Sequence, residues 1–451
     1  AHYLDVFELT PVQEPLYYAD GQIREEVFVA GSFLQSKMHA AGVTCTHCHD
    51  AHSGSVEGFD DTSPATLSND QSCLQCHRAA TYAVAAHHHH PVGSEAARCV
   101  SCHMPETTYM GVDPRRDHRF LVPDPYAAQQ LSTPDVCTDC HSDRSLAWAI
   151  SSLAGWRDQP RRVTLAEDVS AAESGGAKAL VRLFEAMQSP STPVMQRAMV
   201  IDRIPLRSQP VFSALVALLN DEDALVRRAA IERLADLEPA TRVPLLGSML
   251  DDEVKAVRFA ATLALADVQS NDKYFTDNKM DVRLHEYQAH YRQSADSLGA
   301  RLQLARLYAA LGQVDKAIDE YRQVLTWVPV HTVSLLNLAD LYRQQQRDDL
   351  AEPLLQRAVK EAATQAAPHY ALALLQVRGK RYQAAMQQLQ RAMELAPTNA
   401  AYLRAYLLLL DAMGRRDEAL ALLQASPMLV GSPQLQQLSE AWRRSGYRAS
   451  R

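Results

Sequence analysis

No cysteine occurs after residue 140. All eight cysteines and 13 of the 17 histidines lie in the first 141 residues of a 451-residue chain. No apolar run approaches the roughly 18 residues that a membrane-spanning helix needs. The formal net charge of −8 is too small to mark a dedicated nucleic-acid binder. No secretory leader is visible, and the chain begins at Ala1 rather than at methionine, which suits a processed N-terminus. The length allows about three domains.

The cysteines that are present fall into four Cys-x-x-Cys-His motifs with none left over. They are Cys45, Cys48 and His49; Cys73, Cys76 and His77; Cys99, Cys102 and His103; and Cys137, Cys140 and His141. This pattern is the attachment site of a c-type haem. Two thiols at that spacing bond the two vinyl groups of one porphyrin, and the following imidazole binds the iron. Zinc sites and dithiol redox sites also use Cys-x-x-Cys, but neither needs a histidine immediately after it. With histidine at 17 of 451 positions, four such placements by chance are on the order of one in several hundred thousand. The sequence therefore predicts four covalently bound copies of haem c. Such attachment takes place outside the cytoplasmic membrane, so an exported protein is expected, periplasmic, extracellular or at the cell surface.

Turn formers from Gly54 to Pro125, Gly58, Asn69 and Asp70 among them, predict a loop-rich region with short helices at the motifs. One of these has Thr133 as N-cap and Pro134 at its first position. About 150 residues cannot build a large apolar core around four porphyrins, so the haems are expected to form most of it, close enough to exchange electrons.

Each iron needs a second ligand or an open face. Nine histidines lie outside the proximal positions: His2, His39, His47, His52, His87, His88, His89, His90 and His118. Two histidines per iron are therefore feasible, an arrangement that keeps iron low-spin and favours low potentials. The candidate distal ligands are His39, His52, His118 and one residue of the run His87–His90. His88 and His90 are the choices there, although periodicity does not decide, and the run could instead bind a transition metal. His2 and His47 read as surface residues, and Met38, Met104 and Met110 as packing residues. Arg115 and Arg116 suit either haem propionates or a solvated charged turn.

The stretches FLQSKMHAAGVTCTHCHDAH (Phe33 to His52), CVSCHMP (Cys99 to Pro105) and YMGVDPRRDH (Tyr109 to His118) resemble multihaem cytochromes of the nitrite-reductase and hydroxylamine-oxidoreductase kind. The resemblance implies that His39 ligates a haem other than that of the adjacent Cys45 motif. More closely, the whole chain resembles bacterial cytochromes c that fuse such a module to tetratricopeptide repeats. Members of that set often carry a further attachment motif upstream, which this sequence lacks. The nitrite reductases have a lysine in one proximal position, whereas all four motifs here end in histidine.

The remainder is repetitive. Residues 195–268 repeat every 31: Asp221-Glu222 returns as Asp252-Glu253, and Val226-Arg227 as Val257-Arg258. This resembles HEAT-like helix pairs, with the acidic pair capping the second helix. Residues 269–296, with breakers at Asn271-Asp272 and Asp277-Asn278, read as a linker and one helix. From residue 297 the period is 34, that of tetratricopeptide repeats: Ala317, Ala351, Ala385 and Ala419. Ala305, Ala339 and Ala373 form a second small-residue register, and the turn near Gly379-Lys380 reads as shifted. Pro433 to Arg451 suits a terminal cap. Arg306, Asp340 and Arg343 are candidates for the concave groove. His285, His290, His331 and His369 read as surface or packing residues.

The expected fold is mostly α: a haem-dominated, loop-rich cytochrome domain (1–150), HEAT-like repeats (151–275) and a tetratricopeptide array with its cap (276–451). The expected function is electron transfer through four haems, with the repeats docking other redox proteins or further copies of the chain; a conductive filament subunit is the variant of this expectation. The alternative is an oxidoreductase acting on a small nitrogen or sulfur species at an open haem.

Overall fold

A computed structural model describes residues 2–444 apart from 8, 14–15, 26, 28, 53–69, 110, 158–159, 174–175, 207, 269–274, 276–277 and 398. Gly54, Gly58, Asn69, Met110, Asn271-Asp272, Asp277 and the tail from Ser445 therefore lie outside the described residues. The chain forms two compact units, Ala1–Ala172 with Ala177–Arg233, and Glu173–Gly176 with Leu234–Arg451.

The first unit opens with short elements: α1 (Val29–Phe33), α2 (Lys37–Ala40), α3 (Gln71–Leu74), α4 (Ala79–Tyr82), α5 (Ala85–His88) and α6 (Cys99–His103). An antiparallel hairpin follows, β1 (Glu106–Tyr109) with β2 (Asp113–Arg116). Then come α7 (Pro125–Leu131), α8 (Val136–Cys140) and α9 (Leu146–Trp156). These elements have almost no apolar interior. Among the described residues from Arg24 to Asp124, Tyr109 is the one buried large apolar side chain. Polar contacts across long sequence separations do the tying instead. Ser32 donates from its hydroxyl to Asp117, whose Oδ1 also accepts the Arg119 N–H at 2.8 Å. Arg119 donates in turn to the Asp20 backbone carbonyl. Gln35 Nε2 donates to the carbonyls of Gly21 and Gly31 at 3.1 and 3.3 Å.

The same unit closes with α10 (Leu165–Glu173), α11 (Ala177–Gln188), α12 (Val194–Arg203), α13 (Gln209–Ala217) and α14 (Ala224–Leu234). Here an ordinary core returns, with Leu183, Met187, Val200, Ile201, Leu215 and Ile231 buried. Arg197, buried in α12, donates to Asp221 at 2.6 Å and to the Met187 carbonyl.

The second unit begins with α15 (Pro239–Leu246), α16 (Lys255–Leu265) and α17 (Lys279–Gln293). The 31-residue period has a structural counterpart. Arg227 donates to the carbonyls of Asp221 and Glu222 at 2.9 and 3.1 Å. Arg258 does the same to Asp252 and Glu253 at 2.8 and 3.1 Å. The acidic residues order the turn rather than cap the helix: Asp252 Oδ1 accepts the Val254 N–H at 2.9 Å, and Val254, not a carboxylate, is the N-cap of α16.

Four helix pairs follow: α18 (Leu298–Ala310) with α19 (Val314–Trp327), α20 (Thr332–Gln344) with α21 (Asp348–Glu361), α22 (Ala366–Arg378) with α23 (Tyr382–Leu395), and α24 (Ala400–Ala412) with α25 (Arg416–Ala425). A short α26 (Met428–Gly431) and a closing α27 (Pro433–Arg444) end the described chain. Ala317, Ala351, Ala385 and Ala419 are each 0 % exposed, as expected where small side chains let helices approach closely. Trp442 and Leu435 of α27 join the last apolar cluster, covering a stripe that a terminal repeat would otherwise expose.

The turn between the helices of each pair keeps strict register. Gly312, Gln346, Lys380 and Gly414 have φ of +67, +59, +57 and +78°. The third turn is thus not shifted. Lys380, not Gly379, takes the left-handed position, because the 34-residue spacing fixes where the chain must reverse. Two repeats therefore place a Cβ where glycine is favoured.

Q346G and K380G should each raise stability by about 0.5–1 kcal/mol, read as a higher denaturation midpoint. A385L should do the reverse, costing about 1–3 kcal/mol through overpacking, with the thermal midpoint as readout.

Candidate functional site

Each attachment motif sits on one short turn of helix: Cys45–His47, α3, α6 and α8. The last is capped by Asp135, whose carboxylate accepts the Thr138 N–H at 3.0 Å. The expected cap, Thr133, is buried with its hydroxyl unpartnered. Asp135 wins because it directly precedes the first helical residue.

Three of the four proximal histidines face a second imidazole. His49 stacks with His118 at 6.2 Å between ring centres and 25° between planes. His103 stacks with His87 at 6.2 Å and 14°. His141 stacks with His90 at 6.0 Å and 22°. One metal ion held between two imidazoles, with bonds of about 2 Å to each and roughly 1.1 Å more to each ring centre, requires a separation of roughly 6 Å.

The remaining ring nitrogens strengthen the fit. Nδ1–H of His118 donates to the Arg116 carbonyl at 2.9 Å. His103 donates likewise to Leu121 at 2.7 Å, and His90 to His88 at 2.5 Å. A ring so tied keeps Nε2 unprotonated and aimed at a metal, the usual support of a ligating histidine. Burial pushes His118 below the usual imidazole range, helped by His49, and burial does the same for His87 with His103 beside it. Both shifts favour the neutral, ligating form.

The run at 87–90 behaves differently from the sequence expectation. It presents two rings, not one, to two different motifs. The cause is His89, which ends α5 in a left-handed conformation at φ +57° and turns the chain, so that His87 and His90 diverge. His88 faces no proximal ring; its Nδ1 accepts the His90 N–H at 3.2 Å. His89 stacks on Trp156 at 4.1 Å. Helical periodicity could not have selected His87, because the helix ends within the run.

The other candidates lie elsewhere. His39 packs edge-on against Phe33 at 5.4 Å, and exposed His52 bonds its N–H to Asp50 at 3.0 Å. His52 does not share a helix with His49. Neither ring faces a proximal imidazole among the described residues. His77 meets Tyr82 edge-on at 5.5 Å. Arg115 and Arg116 pair with Asp113 and Glu106 along the hairpin. His2 and His47 cap local turns through Nδ1. In the repeats, His369 is buried, with Nδ1 2.7 Å from Gln388 Oε1, a packing role. Asp340 and Arg343 pair with each other at 2.6 Å on an exposed face.

The motifs also lie beside one another. Cys73, Cys99 and Asp70 bring their ligand atoms within 4.8 Å of each other, and Asp70 accepts the Cys99 N–H at 3.1 Å. Cys137, its thiol pushed up to about 12 by burial first and Asp135 next, senses both Cys102 and Cys140.

Comparison with known proteins bears on the helical part. The HEAT-repeat family matches residues 212–274. Two tetratricopeptide-repeat families match 334–367, and 298–331 with 366–399. The chain carries HEAT and tetratricopeptide repeats. Among solved structures it is similar to a crystal structure of MamA, at 26 % identity over 32 % of this chain and 85 % of that one, TM-score 0.29. It is also similar to MamA from Desulfovibrio magneticus RS-1, at 17 % identity over 37 % and 88 %, TM-score 0.29. The human IFIT1 dimer with PPP-AAAA is similar at 15 % over 62 % and 70 %, TM-score 0.35. A search of curated proteins finds no match.

Asp117 is the residue that sequence reasoning missed. Its partner Ser32 lies 85 positions away, and its neighbour Arg119 reaches Asp20, 99 positions from Arg119, so no local pattern announces it. D117A should cost about 1–3 kcal/mol by stranding the Ser32 hydroxyl and the Arg119 N–H. D117N, which retains an acceptor, should recover part of that loss in thermal unfolding.

Proposed function

We propose that the first 150 residues bind four haems covalently through the four Cys-x-x-Cys-His motifs and that the protein transfers electrons. The observation that carries this reading is the set of three parallel histidine pairs at 6.0–6.2 Å, each opposing one proximal histidine. The scarcity of buried apolar side chains between Arg24 and Asp124 supports it, since porphyrins would supply the missing apolar core. When bound, the haems supply reversible one-electron chemistry at iron.

The chain's own residues do the rest. His49, His77, His103 and His141 bind on the proximal side, and His118, His87 and His90 close the opposite face at three sites. That closure favours conduction over substrate chemistry at those three. The HEAT and tetratricopeptide repeats form the protein-binding scaffold, since stacked helix pairs present extended concave surfaces. Their partners are other redox proteins or further copies of this chain, and the protein works outside the cytoplasmic membrane.

A second reading, an oxidoreductase for a small nitrogen or sulfur species, is favoured by one observation. The ring neighbour of His77 is a tyrosine, and no histidine faces it among the described residues. That site would then offer an open coordination position.

Intact mass and the absorbance of the pyridine adduct should report four haems per chain, and replacement of both cysteines in any one motif should remove one. A colourless protein purified from a cytochrome c-maturing host would exclude the proposal. Low-spin spectra with no carbon monoxide uptake would exclude the second reading.

A further inference from the structure

The four motifs are not strung out in chain order, because the third is linked to segments that carry, or carry the ring opposite, each of the other three. Toward the second motif, Asp70 accepts the Cys99 N–H at 3.1 Å, and the Cys73 sulfur lies within 4.8 Å of the Cys99 sulfur. The Tyr82 ring stands edge-on between two imidazoles, 5.5 Å from His77 and 5.2 Å from His87. Toward the fourth, α6 packs on α8, Cys102 neighbours Cys140, and His87 and His90 leave one four-residue run for two different proximal partners. Toward the first, His103 donates to the Leu121 carbonyl at 2.7 Å. Leu121 is three residues beyond His118, which faces His49. The connection is short and stiff. The Arg116 guanidinium donates to the Met104 carbonyl at 3.1 Å, and the Asp117 N–H to the Pro105 carbonyl at 2.9 Å, clamping the open end of the hairpin.

We infer that the Cys99–His103 site is the branch point of the electron path, with the other three sites as its arms. The inference rests on the haem reading above and adds the connectivity. Electron exchange between any two arms passes through this site. Each transfer oxidises one centre by one electron and reduces its neighbour by one, with no bond made or broken and no proton moved. External exchange is with one-electron protein donors and acceptors, which can dock at any arm.

The test uses the full-length holoprotein. H87M exchanges one ligand at the branch point, and H90M makes the same exchange at an arm. A methionine ligand raises the potential of its site, so it traps the electron there. After reduction by a flash with less than one electron per chain, redistribution is followed in the visible spectrum. H87M should slow exchange among all the other sites by about tenfold or more. H90M should slow only the phase that involves the fourth site. Equal effects of the two variants, or an H87M protein in which two arms still equilibrate at the wild-type rate, would overturn the branch. Haem content by mass is read on the same samples. Fewer than four haems in the unsubstituted chain would instead defeat the underlying reading. Should H87M fail to fold, power saturation of the electron paramagnetic resonance signals decides in the unsubstituted protein. One centre should relax through three neighbours, and a set in which none has more than two would overturn the proposal.

Discussion

Two imidazole rings with centres 6.0–6.2 Å apart fall inside the broad range of about 4.5–7 Å that aromatic pairs adopt. Their mutual attraction is too weak to set that geometry, so the backbone must impose it. One ring of each pair is accordingly fixed from behind. His118, His103 and His90 give their Nδ1 hydrogens to main-chain carbonyls. The carbonyls are held by a hairpin, by a polar chain running from Ser32 through Asp117 and Arg119 to Asp20, and by the turn at His89. Facing imidazoles are the arrangement that these contacts hold in place, in a region with few buried apolar side chains of its own.

The two halves of the molecule solve stability in opposite ways. In the repeats, burial is local and periodic. Alanines at 0 % exposure sit where helices cross, and leucines and tyrosines fill the layers between. In the motif region, contacts join residues 85 to 112 positions apart through single hydrogen bonds, such as Gln22 to the Pro134 carbonyl at 3.0 Å. Each such bond is worth little by itself. The motif region therefore has far less of its own apolar packing to hold it than the solenoid has.

This difference also decides what could be read in advance. The motifs are strictly local, and so is the 34-residue alanine ladder, so both were visible in the sequence. The rings that face the motif histidines are not equally so. His118, opposite His49, stands out in a polar stretch with little other purpose. His87 was missed because the choice depends on one left-handed residue, His89, which histidine does not advertise. Lys380 hid the third reversal for the same reason, since glycine stood one position earlier and drew attention. Asp117 was invisible because Ser32, which donates to it, is 85 positions away.

The tied Nδ1 nitrogens have one more consequence. A ring whose rear hydrogen is engaged by a carbonyl cannot swivel when the charge opposite its other nitrogen changes by one unit. Under the electron transfer proposed above, nuclear rearrangement accompanying such a change would be kept small, and the reorganisation energy with it. Hydrogen bonds of 2.5–2.9 Å to the main chain thus act as brakes on motion at the point where speed would be lost to it.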